Sequence, residues 1–174
     1  MSAVSANDTA PAASGGTAPG GAAEPRTYVT FELAGQDFAV DVTHVREILD
    51  LQPIAALPNA PGDLLGMVDV RGEGIAVVDL PGKLGLRGGT SAEDSRILVF
   101  ELGAEPPTPV GVIADRVLSV IEIPEAEIER TPRAMTRWDA AVMRGVARIG
   151  GRLTMVLALD GLFSDALPGE FDFG

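Results

Sequence analysis

Two carboxylates, Asp69 and Asp79, flank the most apolar hairpin of this 174-residue chain and are its best candidates for acid–base chemistry. Both lie in Gly66-Met67-Val68-Asp69-Val70-Arg71-Gly72-Glu73-Gly74-Ile75-Ala76-Val77-Val78-Asp79-Leu80, which reads as two strands folded about a Gly-x-Gly turn. If the turn falls near Glu73 and Gly74, the two carboxyl groups come opposite each other, and facing carboxylates are the machinery of glycoside hydrolysis. The competing reading sets both at strand ends beside water, with Arg71 as a counter-charge. Nothing else in the chain builds a sugar site, since Trp138 is the only Trp and Tyr28 the only Tyr.

Other chemistry is thinly represented. His44 is the only His and there is no Cys, so a usual zinc site, a thiol nucleophile and a disulfide framework are all excluded. Gly82-Lys83 resembles a phosphate loop, but Val77 stands where its first Gly is needed and Leu84 where its Ser or Thr is needed. Gly72-x-Gly74 opens a strand and lacks the third glycine of a dinucleotide fingerprint.

Arg71 is the more telling residue. Strand side chains alternate, so Val68 and Val70 share one face and Met67, Asp69 and Arg71 the other. The next strand is apolar on both faces, Ile75 and Val77 against Ala76, Val78 and Leu80, which predicts cover on both sides. A second layer of this chain or a partner must therefore lie over the Arg71 face. Twelve of the thirteen basic residues are Arg, and Arg130, Arg133, Arg137, Arg144, Arg148 and Arg152 gather late in the chain, as solvated surface or as a docking strip for an acidic protein.

The elements that position these residues follow from the punctuation. Residues 1–26 are rich in Ala, Gly, Ser, Thr and Pro without apolar periodicity, and read as a disordered tail. A hairpin is expected from Thr27 through Val40 about Ala34-Gly35-Gln36-Asp37. Val42, Val45, Ile48 and Leu49 then fall at helical spacing behind a cap at Asp41, predicting a short helix. A strand is expected over Leu51–Leu57, closed by Pro58-Asn59-Ala60-Pro61. The turn-rich stretch Pro81–Ser95 marks a boundary between two halves. Strands follow at Arg96–Leu102, Val110–Asp115 and Val117–Ile123, then a helical or irregular stretch through Trp138. A last hairpin, Val142–Leu159 about Gly150-Gly151, loosely echoes the first and suggests two similar barrels. The net charge of −12 argues against a sequence-independent grip on nucleic acid or an anionic membrane. No signal segment or 18-residue apolar run is visible, and a cytosolic place fits the lack of Cys.

In order, Phe31-x-Leu33-x-Gly35-x-x-Phe38-Ala39-Val40, Val42-x-x-Val45-x-Glu47-Ile48, Leu57-Pro58-Asn59-Ala60-Pro61, Gly66 to Gly72, Val78-Asp79-Leu80 and Gly111 to Val117 resemble the CheW-type chemotaxis coupling proteins. So do Gly145, Gly151-Arg152-Leu153 and Leu159-Asp160-x-Leu162. The resemblance implies a mainly β fold of two five-stranded SH3-like barrels sharing a core, with a few short helices, spanning 27–165 between tails at 1–26 and 166–174. It implies a non-enzymatic adaptor without cofactor or metal, cytoplasmic and recruited to membrane-bound receptor arrays. Its partners would be the regulatory domain of a CheA-type histidine kinase and the helical cytoplasmic tip of a chemoreceptor. Val45 and Glu47 on the first helix, Arg71 at the hairpin bend, and Val117 with Val120 would lie on or near partner-contacting surfaces. A CheW-like scaffold of another receptor–kinase pathway and a glycoside hydrolase using Asp69 and Asp79 are the alternatives.

Overall fold

Central strands buried on both faces, flanked by edge strands that are partly exposed, explain the layers of the protein. The structure, a computed structural model, describes residues 25–60, 62–86, 93–103, 106–130 and 142–163. The tail expected at 1–26 lies outside them except for its last two residues, as do 166–174. Within the described residues the chain forms β1 (Arg26–Leu33), β2 (Gln36–Asp41), β3 (Val45–Asp50), β4 (Leu64–Val70), β5 (Glu73–Val78), β6 (Arg96–Leu102), β7 (Thr108–Ala114), β8 (Arg116–Ile123), β9 (Met143–Ile149) and β10 (Arg152–Leu157). One-turn helices α1 (Leu80–Lys83) and α2 (Leu159–Leu162) follow β5 and β10.

The strands make two five-stranded sheets, ordered β8-β1-β2-β10-β9 and β3-β6-β7-β5-β4. The β1–β2 hairpin therefore joins strands from the end of the chain, and the β6–β7 hairpin joins strands from its beginning. Renumbering β6 to β10 as second copies of β1 to β5 turns one strand order into the other, so the two halves are repeats that have exchanged their first hairpins. The stretch 81–95, of which 87–92 lie outside the described residues, falls between β5 and β6, which both belong to the second sheet. Interleaving also creates the only parallel pairings among the described strands, β2 with β10 and β5 with β7.

Each sheet has two buried faces. Val29, Phe31 and Leu33 of β1, Phe38 and Val40 of β2, Leu98, Phe100 and Leu102 of β6, and Val110 and Val112 of β7 meet in one shared core, closed by Leu80, Leu159 and Phe163 from the helical turns. Residues of opposite parity turn the other way: Tyr28, Ala39, Ala147 and Val156 fill the first barrel, and Val68, Ile75, Val77, Ile97 and Val99 fill the second. The Phe31 and Phe38 rings, directly paired in register, stack 6.2 Å apart. Two-faced burial is why β5 reads as continuously apolar.

Each barrel is closed by a crossing at a glycine. Ala55 exchanges backbone hydrogen bonds of 2.8 and 2.9 Å with Met67, and Glu129 exchanges two of 2.8 Å with Val146. A Cβ on Gly66 would lie 2.7 Å from Ile54 Cγ2, and one on Gly145 would lie 2.8 Å from Ile128 Cγ2, with the crossing chain's carbonyl oxygens closer still. The strand expected over Leu51–Leu57 is reduced to this bridge at Ala55, because Pro53 and Pro58 remove ladder donors on either side.

The expected helix over Val42–Leu49 is replaced by a one-turn 3-10 helix, Val42–His44, and by β3. Asp41 does cap it, accepting from Thr43 N at 2.9 Å and Thr43 Oγ1 at 2.8 Å. Beyond His44 the segment Val45-Arg46-Glu47-Ile48-Leu49-Asp50 alternates half-buried and exposed, and pairing with β6 satisfies its backbone as a strand. Burial opposes ionisation of the Asp41 carboxyl, but the two Thr43 hydrogen bonds and the charges of Arg26 and His44 outweigh it and hold it below the usual carboxylate value.

Gly66→Ala and Gly145→Ala should each cost about 1–3 kcal/mol by forcing the crossing chain away, measured by urea unfolding. Asp41→Ala should cost about 1 kcal/mol at neutral pH. Because the folded carboxyl is the stronger acid, its stabilisation is complete above the unfolded value of about 3.9 and fades as pH falls through the depressed one. The gap between wild type and Asp41→Ala should accordingly narrow in urea titrations at about pH 3.

Candidate protein-binding surface

Register settles the fate of the carboxylate pair. Val70 pairs with Glu73, so the turn is Arg71-Gly72, Asp69 lies opposite Gly74, and Leu64 lies opposite Val78 at the far end. Asp69 and Asp79 therefore sit at opposite ends of the hairpin, which removes the facing arrangement that glycoside hydrolysis needs. Each instead supports the backbone: Asp69 accepts from Gly72 N at 2.8 Å and Asp79 accepts from Gly82 N at 3.2 Å to cap α1. His44 ends the 3-10 turn and lines a cavity of about 150 Å³ with Arg26, Asp41, Arg144 and Asp160. Among the described residues no group of His, Asp and Glu is arranged to hold a metal.

Much of the late Arg cluster faces its own chain. Arg144 donates to Tyr28 Oη at 2.7 Å and to both Glu125 carboxylate oxygens at 2.9 and 3.0 Å. Arg152 donates to the nearly buried Asp37 at 2.8 Å, and Arg148 reaches the Gly151 carbonyl at 3.4 Å. Arg133 and Arg137 lie outside the described residues. Among the described members of the cluster, Arg144 and Arg152 are thus engaged by carboxylates of their own chain.

Glu47 and Arg71, 24 residues apart in sequence, come together. They lie on opposite edges of the second sheet, β3 and the β4–β5 turn, and Arg71 Nη2 donates to Glu47 Oε2. Arg46 ties the same edges a second time, with Nη2 2.9 Å from Glu73 Oε1 and Nε 3.9 Å from Glu101 Oε2 and 4.0 Å from Glu47 Oε2. The Glu73 hydrogen bond, with the charges of Glu73, Glu101 and Glu47, holds the Arg46 guanidinium above its ordinary value despite some desolvation. Charge thus replaces backbone pairing where the barrel edges meet. The Arg71 side chain is 68% exposed and Glu47 is 20% exposed, so this pair contributes about 0.2–1 kcal/mol.

The hydrophobic members divide by burial. Val45 packs on the shared core opposite Phe100, and Val117 packs on it opposite Phe31. These are equivalent places in the two repeats: a bulge follows each, skipping Arg46 in β3 and Leu118 in β8. Past the bulge, Ile48 lies opposite Leu98 and Val120 opposite Val29, and at these edges the two are 41% and 59% exposed. At the intervening position Glu47 holds Arg71, whereas Ser119 Oγ lies 3.0 Å from Thr30 Oγ1. The position after the bulge is therefore charged in one copy of the strand and uncharged in the other. Val45 and Glu47 stand on a strand, contrary to the helix expected for them; Arg46, Glu73 and Ile48 were missed. An i, i+2 reading of Val45–Asp50 would have put Arg46 and Ile48 on the outer face.

Comparison with known proteins agrees with this geometry. Residues 27–167 match the family model described as the CheW-like domain. The chain is 28% identical over 138 residues to the chemotaxis protein CheW of Rhizobium meliloti, covering 79% of this chain and 87% of that one. It is 29% identical over 137 residues to the chemotaxis protein CheW of Treponema pallidum, covering 78% and 81%. The crystal structure of the scaffolding protein TtCheW from Thermoanaerobacter tengcongensis superposes with a TM-score of 0.71 at 30% identity, covering 81% of this chain and 89% of that one. With a match that runs from β1 to beyond α2, and so takes in both exchanged sheets, this chain belongs to the CheW-like domain family.

Proposed function

We propose that this protein is a non-enzymatic adaptor of chemotaxis signalling that couples chemoreceptors to a CheA-type histidine kinase. The observation that carries this reading is the family match across the whole exchanged fold, whose relatives are named as chemotaxis and scaffolding proteins. The chemistry of the surface supports it. The carboxylates best placed for catalysis serve a turn and a helix cap, while Arg71, Ile48 and Val120 present donors and apolar surface outward. Exposed aliphatics and a forked cation suit contact with another protein.

Within this reading Val45 and Val117 act from below, fixing the bulged strands β3 and β8 against the shared core. Glu47 orients Arg71, and Arg71 and Val120 touch the partners: the kinase regulatory domain and the helical receptor tip. The working part is residues 27–165. No helix among the described residues is long and apolar enough to cross a membrane. We place the protein in the cytoplasm, brought to receptor arrays by its partners.

Capture of an immobilised CheA-type regulatory domain and of a receptor tip fragment tests the proposal directly. Val120→Asp should leave the melting temperature unchanged and weaken capture of at least one partner by roughly tenfold or more, as expected for an anchor at an interface centre. Capture of neither partner by the wild-type chain, or full capture by Val120→Asp, would contradict the assignment.

A further inference from the structure

We infer that the β1–β2 hairpin passes between two copies of this chain, forming a reciprocally exchanged dimer in which Val42–His44 is the hinge and the Asp41 cap its latch. Among the described residues, the strands that hold this hairpin come from the later half of the chain: β1 pairs with β8, and β2 with β10. Its side-chain anchors come from there too. Ala34 N donates to Asp115 Oδ2 at 2.8 Å, and Arg152 Nη2 donates to Asp37 Oδ1 at 2.8 Å. β3, the strand next in sequence, belongs to the other sheet. The hairpin is thus an insert in a slot between β8 and β10, and a second copy offers the same slot. Each body of the exchanged dimer keeps both sheets, so the outward surface is doubled without being altered.

The 3-10 turn that joins this insert to β3 is built from residues that favour strand. Val42 and Thr43 are β-branched, none of the three turn residues is buried, and the backbone is already extended on either side, at Asp41 (φ −61°, ψ 130°) and Val45 (φ −93°, ψ 118°). The turn is kept wound by the Asp41 carboxylate, which accepts from Thr43 N and Thr43 Oγ1, and by partial packing of Val42 on the shared core. Unwinding would fuse β2 and β3 into one strand over 36–50. It would also lengthen the connection by about 4 Å, since a residue rises about 2.0 Å in a 3-10 turn and about 3.3 Å in a strand. That exceeds one residue of register, and a one-residue slip turns every side chain of a strand to the wrong face. An unwound chain therefore cannot seat its hairpin in its own slot, whereas two such chains fill each other's slots in register. The second hairpin has no such hinge, because Asp115 alone separates β7 from β8.

Thr30→Cys combined with Ser119→Cys supplies the test. These residues pair across β1 and β8 with their hydroxyl oxygens 3.0 Å apart, and the chain has no Cys of its own. The disulfide lies within one chain when the hairpin is at home and between two chains after exchange. The reduced double variant is refolded from urea at about 1 mM and at about 5 μM, monomer and dimer are separated by size exclusion and then oxidised, and each is run on a denaturing gel without reductant. The higher concentration should give a dimer whose chains stay joined on the gel, and the lower one a monomer. Adding Asp41→Ala should raise the dimerisation constant about twenty-five-fold, a factor of about five for each of the two hinges that a dimer opens. A dimer that falls to single chains on the gel marks a side-by-side contact and overturns the exchange, as does the absence of any dimer both with and without Asp41→Ala. An unchanged dimerisation constant in Asp41→Ala overturns the latch alone.

Discussion

Burial of both faces of both sheets is the constraint on which this protein depends. A strand whose odd residues enter one core and whose even residues enter another cannot be solvated on either side, so neither barrel is complete without the other. Phe31 and Phe100, equivalent residues of the two exchanged hairpins, lie in the same shared core. Exchange deepens the dependence, because each sheet takes two strands from one half of the chain and three from the other. A contiguous half would expose the apolar face of its own hairpin and leave the other three strands without central partners.

The same constraint dictates where function can reside. Inner positions are spoken for by packing, and the helical turns α1 and α2 plug the shared core. What is left to vary is the outer face of the edge strands β3 and β8 and the hairpin turns. The repeats diverge there. Glu47 and Ser119 stand at equivalent positions, as do Arg71 and Gly150, so the Glu47–Arg71 ion pair of one barrel has no counterpart in the other. An adaptor built from two copies of one unit can thereby present two different surfaces from one rigid body. The bulges after Val45 and Val117 contribute by turning Arg46 and Leu118 out of the ladder while the valines stay seated on the core.

Much of this was legible because strand periodicity and turn chemistry are local. The hairpins about Gly35, Gly72 and Gly150-Gly151, the two-sided burial of Ile75 to Val78, and the cap at Asp41 are all written in neighbouring residues. The segment Val42–Leu49 was misread because its apolar positions satisfy both a helical and an alternating template; pairing with β6, about fifty residues later in the chain, decided between them. The Asp69–Asp79 pairing failed for a related reason. A hairpin's register depends on where its turn falls, and the left-handed Arg71 placed it two residues earlier than the Gly-x-Gly pattern suggested.

Sequence alone determined the local grammar: a mainly β chain, its hairpins, its apolar alternation, and a motif order shared with the CheW-type coupling proteins. Tertiary structure decided what those hairpins pair with. The exchange between sheets, the crossings at Gly66 and Gly145, the Glu47–Arg71 and Arg46–Glu73 ties and the internal pairing of Arg144 and Arg152 all join residues far apart in the chain. Periodicity tells which side of a strand seeks cover but not which strand will supply it. That choice rests on the shape and charge of two surfaces brought together only when the chain closes on itself.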